Sequence, residues 1–203
     1  MRDRGISSPG TKSWITSGLA LGGAAALIWG LQSPDPALPL VAAAKTLGAI
    51  ILIIALLMTA NYRYTQLLIG KMQRGEDVIG RWTVTPDTFA RFCVIEHARK
   101  KRKNNWRMPQ YDMPNGLEVI FTRQSVLVGN TWFRLAAKGT SYFFNARIDN
   151  DTVCSVEFSM RLKVVGAGTL SQTARYKGHL RVPIADDSAA DAARVVAFFR
   201  RLV

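Results

Sequence analysis

Apolar positions fall into two regimes along this chain. From Trp14 to Leu31 the sequence WITSGLALGGAAALIWGL carries no charge, and from Leu40 to Ala60 LVAAAKTLGAIILIIALLMTA carries only Lys45. Runs of this length match the roughly 17–25 apolar helical residues that cross a hydrocarbon core about 30 Å thick. In lipid, a lone apolar run satisfies its backbone only as a helix. The eight residues between, Gln32 to Pro39, hold three prolines and predict a tight return. The two runs therefore predict an antiparallel transmembrane hairpin. Gly18, Gly22, Ala26 and Gly30 recur every fourth residue. Such a small-residue stripe predicts close helix packing, with Ala44 and Gly48 as its facing groove and homodimerisation as the alternative. Lys45 lies about a turn into its helix and is expected to snorkel to the interface.

Beyond Ala60 the pattern changes. Asn61 to Gln73 is expected to prolong the second helix into the head-group region, with Tyr62 and Tyr64 in an aromatic belt. Val78–Val84 reads as a strand. Thr85-Pro86-Asp87 then has the cap, first-turn proline and first-turn acid of a helix start. That helix is expected to run to about Arg102, with Phe89, Phe92 and Cys93 on its buried face. From Leu117 the period becomes two. Strands are predicted over 117–122, 125–128, 131–135, 142–148, 154–163 and 173–184, with Gly129-Asn130 as a hairpin turn. Asp186, Asp187 and Ser188 open a last helix with Ala192, Val195, Val196 and Phe199 as its apolar stripe. The predicted class is α+β. Its parts are a flexible basic leader (1–12), a transmembrane hairpin with juxtamembrane extension (13–74), and an antiparallel β domain of about seven strands with one inserted helix and one C-terminal helix (75–203).

Charge sets the orientation and the class of partner. The chain has 27 Lys and Arg against 14 Asp and Glu, a net charge of +13, and residues 61–203 hold 23 against 12. Arg2, Arg4 and Lys12 precede the first apolar run and Arg63, Lys71 and Arg74 follow the second, while the turn between them has Asp35. The positive-inside rule then puts both termini in the cytoplasm. The first run is long for the core of a signal peptide and lacks an A-x-A site before a polar mature start. A basic domain beside a membrane favours anionic phospholipid. Nucleic acid is disfavoured, because no helix-turn-helix, zinc spacing or stacking-aromatic motif accompanies the charge. Cys93 and Cys154 have no metal-type spacing, and both are expected as buried thiols of a reducing compartment.

Three stretches give the domain a further resemblance. Gly80-Arg-Trp-Thr-Val-Thr-Pro86 follows the hairpin, Ser125-Val-Leu-Val-Gly129 precedes Trp132-Phe133, and Leu180-Arg-Val-Pro-Ile184 leads into an Ala-rich helix. In this layout the chain resembles bacterial YcxB-like proteins, which join a two-helix membrane hairpin to a small pleckstrin-homology-like (PH-like) β domain. The resemblance implies a PH-like fold and an inner-membrane setting. It brings no catalytic site and no cofactor.

The candidate chemistry is mostly basic. Arg99, Lys100, Lys101, Arg102 and Lys103, with Trp106 and Arg107, form a run placed early in the domain, where PH-like folds often hold anionic ligands. A Lys or Arg near anionic lipid gains about 1 kcal/mol, so this run is the candidate lipid contact; a solvated helix end is the competing reading. Arg175, Lys177, His179 and Arg181 alternate along the last strand and read as an exposed basic face. A protein partner of the sheet edge, or a larger membrane complex docked on the small-residue stripe, remains open. Catalysis finds no support: neither His97 beside Glu96 nor His179 pairs in sequence with a nucleophile and an orienting acid. Asp149 and Asp151 are too few for a calcium loop. Asp186, Asp187 and Asp191 suit a helix's first turns. Gly166 and Gly168 lack the Lys-Ser/Thr of a phosphate loop. No metal site is expected.

Overall fold

A computed structural model describes residues 5–35, 38–99, 103–108, 113–139, 141–150, 152–164 and 174–203, with side chains omitted at 162–164 and 174–176. The chain forms two compact units: residues 8–70, and residues 71–203 together with 1–7.

The first unit is the hairpin. Helix α1 spans Pro9–Gln32 and α2 spans Pro39–Gln73, both long and apolar enough to cross a membrane. Their outward faces are apolar and exposed: Trp14, Leu21, Leu40 and Leu57 are 68–79% accessible. Water would penalise that surface by about 25 cal/mol per Å², so the two helices point to membrane insertion. The extension predicted for the second helix is present, since α2 continues without a break through Asn61 to Gln73.

The seam between the helices differs from the predicted stripe. On α1 it is built from Ser13, Thr16, Ala20 and Gly23, at alternating spacings of three and four, and from Gly30 a full seven residues on. A Cβ on Gly23 would lie 2.9 Å from the Leu52 backbone N and 3.0 Å from the Gly48 carbonyl, so the two backbones touch there. Gly48 does form the facing groove, with Ala26 at its edge and the Lys45 stem laid against Gly30. Gly18 and Gly22 face outward with nothing near them. The reason is angular: a strict four-residue step drifts about 40° per turn around a 3.6-residue helix, whereas a three-four alternation stays on one seam. Thr59 Oγ1 donates to Thr16 Oγ1 at 2.8 Å, adding one interhelical bond.

The second unit is an α+β domain. Its strands are β1 (Ile6–Ser7), β2 (Val78–Val84), β3 (Leu117–Thr122), β4 (Ser125–Val128), β5 (Thr131–Arg134), β6 (Ser141–Asp149), β7 (Ser155–Val164) and β8 (Ala174–Pro183). Helix α3 (Pro86–Ala98) is inserted after β2, and α4 (Ala189–Arg200) closes the chain. All strand pairs are antiparallel, in one sheet ordered β1-β5-β4-β3-β2 and another ordered β6-β7-β8. The leader is not wholly a free arm, because Ile6 pairs with Trp132 and Ser7 with Thr131.

Phe199 of α4 joins the two sheets. Its ring centroid lies 6.5 Å from Phe121, 5.3 Å from Phe143 and 5.1 Å from Phe158, all edge-on. Such pairs add about 0.5–1.5 kcal/mol beyond their burial. The α4 stripe predicted from sequence, Ala192, Val195, Val196 and Phe199, is the buried one. Trp82 Nε1 also donates to the Pro183 carbonyl at 2.9 Å, tying β2 to β8.

Gly23→Val should force the helices apart and cost about 1–3 kcal/mol, as overpacking does, while Gly22→Ile leaves the seam intact. Thermal denaturation of the full chain in detergent, with engineered interhelical cross-linking, reads the difference. Equal losses would overturn the assignment of the seam.

Candidate functional site

The most concentrated chemistry is a row of charges on the face of the β6-β7-β8 sheet opposite the aromatic core. Antiparallel register sets Arg147 of β6 beside Glu157 of β7, and Glu157 beside Arg181 of β8. Alternation points all three the same way, away from Phe158 and Leu180. Helix α3 supplies a fourth group. Thr85 caps it, its side chain accepting the Thr88 N–H at 3.3 Å, and Glu96 lies on its covered face.

Arg181 is fully buried and grips Glu96 with two donors, Nε to Oε1 at 2.7 Å and Nη2 to Oε2 at 3.0 Å. Its Nη1 stands 3.7 Å from Glu157 Oε1. Glu157 is as deeply buried; its Oε2 accepts Arg147 Nε at 3.0 Å and Nη2 at 2.7 Å, and its Oε1 lies 2.8 Å from His179 Nδ1. Arg99 extends the row, pairing with Glu96 at 3.1 Å and Asp149 at 3.2 Å. Three arginines thus meet three carboxylates. An ion pair without water is stable only when its remaining donors and acceptors are also met.

The segment after α3 caps this layer. Asn104 Nδ2 donates to the Arg181 carbonyl at 2.8 Å, its Oδ1 accepts the Arg181 N–H at 3.2 Å, and the Asn105 N–H donates to the His179 carbonyl at 2.7 Å. The Asn105 carboxamide occupies the space where a Cβ on Gly178 would stand, so only glycine fits there.

Burial by itself would raise the Glu157 carboxyl. The Arg147 hydrogen bonds, the charges of Arg147 and Arg181 and the His179 hydrogen bond outweigh it and hold that carboxyl below its ordinary value. Burial, and then the charge of Glu96, raise the Cys93 thiol. A raised thiol is a poor nucleophile at neutral pH.

The basic face predicted on the last strand is therefore corrected. Lys177 is exposed, but His179 is mostly covered and Arg181 wholly so; the side chain of Arg175 is outside the described residues. Period two separates the faces of a strand without saying what lies above them. Cys154 is also corrected: it is exposed, because it sits in the turn before β7, where alternation does not apply. Cys93 is half-buried.

The predicted lipid-contact run divides. Arg99 leaves the helix in an extended conformation and is held in the ion pairs above. Trp106 is buried, its ring 5.9 Å from Phe89, so it lies in the core rather than at a surface. Lys103 and Arg107 are exposed. Lys100, Lys101 and Arg102 lie outside the described residues, as do Asp151, Gly166 and Gly168. His97 is exposed and its Nδ1 lies 2.7 Å from the Cys93 carbonyl, apart from the charge row. Glu96, Glu157 and His179 do converge, but guanidinium donors already engage both carboxylates. Among the described residues no group of three or more His, Cys, Asp or Glu is arranged to hold a metal.

Comparison with protein-family models, curated proteins and solved structures finds no match for this chain. The fold and the residues themselves define an α+β protein with two candidate membrane spans.

Arg181→Met should destabilise the domain by about 3–5 kcal/mol, because it strands Glu96 in a dry site. Arg181→Met with Glu96→Met should recover most of that loss in denaturant unfolding of the full chain. Acid should act through Glu157. Its folded-state value lies below the ordinary one of about 4.3, so its contribution is complete above that value and lost as pH falls through the lowered one. Stability should then fall below about pH 4, and the fall should be shallower in Glu157→Gln.

Proposed function

We propose that this chain is an integral inner-membrane protein of the YcxB-like kind, which holds a basic PH-like module at the cytoplasmic face and acts by binding rather than by catalysis. The apolar, exposed outer faces of α1 and α2 carry the anchoring half of this reading. The binding half rests on a four-strand meander (β2–β5), a three-strand meander (β6–β8) and a closing helix, the layout that a PH-like module needs. The orientation rests on Arg63, Lys71 and Arg74 after the second span and Lys12 before the first. Engagement of Glu96 and Glu157 by arginine removes the obvious acid–base pair, which favours binding over an enzyme of membrane substrates. Anionic head groups are the expected ligand and a protein partner the alternative. Among the described residues of the predicted run, Lys103 and Arg107 are the exposed cations.

A second reading, a subunit of a homodimer or larger membrane complex, has one observation in its favour. Gly18 and Gly22 lie off the hairpin seam and face outward. Gly22→Ile then disrupts assembly without loosening the hairpin, and unchanged assembly would remove this reading.

Amide exchange of the full chain in nanodiscs tests the lipid contact. With anionic lipid, exchange at 103–108 should slow relative to zwitterionic lipid, and the protection should vanish in high salt or in Lys103→Ser/Arg107→Ser. Identical exchange in both lipids would turn the reading toward a protein partner.

A further inference from the structure

The hairpin encloses a groove at the end where its termini meet. Gly10, Ser13 and Trp14 of α1 face Arg63, Gln66 and Leu67 of α2 around a volume of about 450 Å³. Its depth follows from the charges. Lys45 and Arg63 bracket an uncharged stretch of α2 that is about 27 Å long at about 1.5 Å per residue. That matches a hydrocarbon core, so Arg63 and the groove stand at head-group level.

The walls are two-sided in character. Trp14 and Leu67 are 79% and 67% exposed and offer apolar surface. Arg63 and Gln66 offer donors, and the Gln66 carboxamide lies on Gly10, where a Cβ would stand only 2.7 Å from its Nε2. The missing side chain at position 10 makes the floor of the groove. Charge is one-signed here: the hairpin's acid, Asp35, lies in the turn at the opposite end. A guanidinium at this depth, with no carboxylate of its own unit at hand, suits a phosphate, whose geometry it matches with paired donors.

We infer that this groove is a head-group site for an anionic glycerophospholipid, with Arg63 and Gln66 on its phosphodiester, Trp14 on the inner side against its upper acyl chains, and Leu67, one turn outward of Arg63, closing the groove beside the head group. The site rests on the reading that the hairpin crosses a membrane. Diffuse attraction to an anionic leaflet makes a different prediction, because Lys12 carries the same charge at a similar depth. Lys12 does not line the groove; its ammonium stands 6.0 Å from the centre of the Tyr62 ring.

The test is native mass spectrometry of the full chain, released from detergent micelles holding equal phosphatidylglycerol and phosphatidylcholine. One phosphatidylglycerol per chain should be retained, with a preference of about tenfold over phosphatidylcholine. Arg63→Gln should bring the two lipids near parity. Gly10→Leu, which changes no charge, should abolish retention by displacing Gln66, and Lys12→Gln should retain lipid as the wild type does. Equal losses in Lys12→Gln and Arg63→Gln, or no preference in the wild type, would overturn the site. Displacement by soluble glycerophosphoglycerol at matched concentration would overturn the lipid as its occupant. Alkaline extraction of the same proteins separates the two levels. A wild type that leaves the membrane fraction refutes the spanning reading and the site together; one that stays but shows no preference refutes the site alone.

Discussion

A carboxylate removed from water must be met by positive charge, and in this domain that requirement governs the row of charges on one side of the second sheet. Glu157 sits in the middle strand with its side chain on the face away from the aromatic core. Arg147 and Arg181 flank it from either neighbour, and Arg181 in turn requires Glu96 from α3. Each partner satisfies one group and leaves the next to be satisfied. The chain of obligations ends only where Arg147, Arg99 and Asp149 reach partial exposure. The helix inserted between the first two long strands is thereby locked to a sheet far from it in sequence.

The same row explains why the residues after α3 do not simply trail into solvent. Asn104 brackets the Arg181 backbone with both ends of its carboxamide, and Asn105 takes the His179 carbonyl. These bonds occupy part of the outer edge of β8. They also draw Trp106 into the core against Phe89. A run that reads as one basic surface is thus split into structural members and exposed ones by the demands of the layer beneath it.

The hairpin obeys a different economy. Its outer surface is apolar, and its two helices meet through close backbone approach and a polar contact, the kind of packing that candidate membrane spans use. Gly23 against Gly48 provides the first and Thr16 with Thr59 the second. At the end of the hairpin that carries Arg63 the chemistry changes within one turn. Arg63, Gln66 and Trp14 then offer both polar and apolar contacts around one groove.

Much of this organisation was readable from residue order. Two long apolar runs, the second broken only by Lys45, set the hairpin; Val78–Val84 and the six strands after Leu117 were located from β2 to β8; and the spacing of Ala192, Val195, Val196 and Phe199 named the buried stripe of α4. Local signals suffice there because backbone geometry alone fixes which residues share a face. What covers a face depends on elements distant in sequence, and only the tertiary structure decided it. Thus Glu157 and Arg181 alternate like solvent-facing residues yet are buried, Arg181 against Glu96 of α3 and Glu157 among Arg147, His179 and Arg181. Gly22 fits a small-residue motif yet points outward, while Gly23 makes the contact. A strand's period carries no information about a second layer, and a glycine's position around a helix acquires meaning only once the partner helix has a direction.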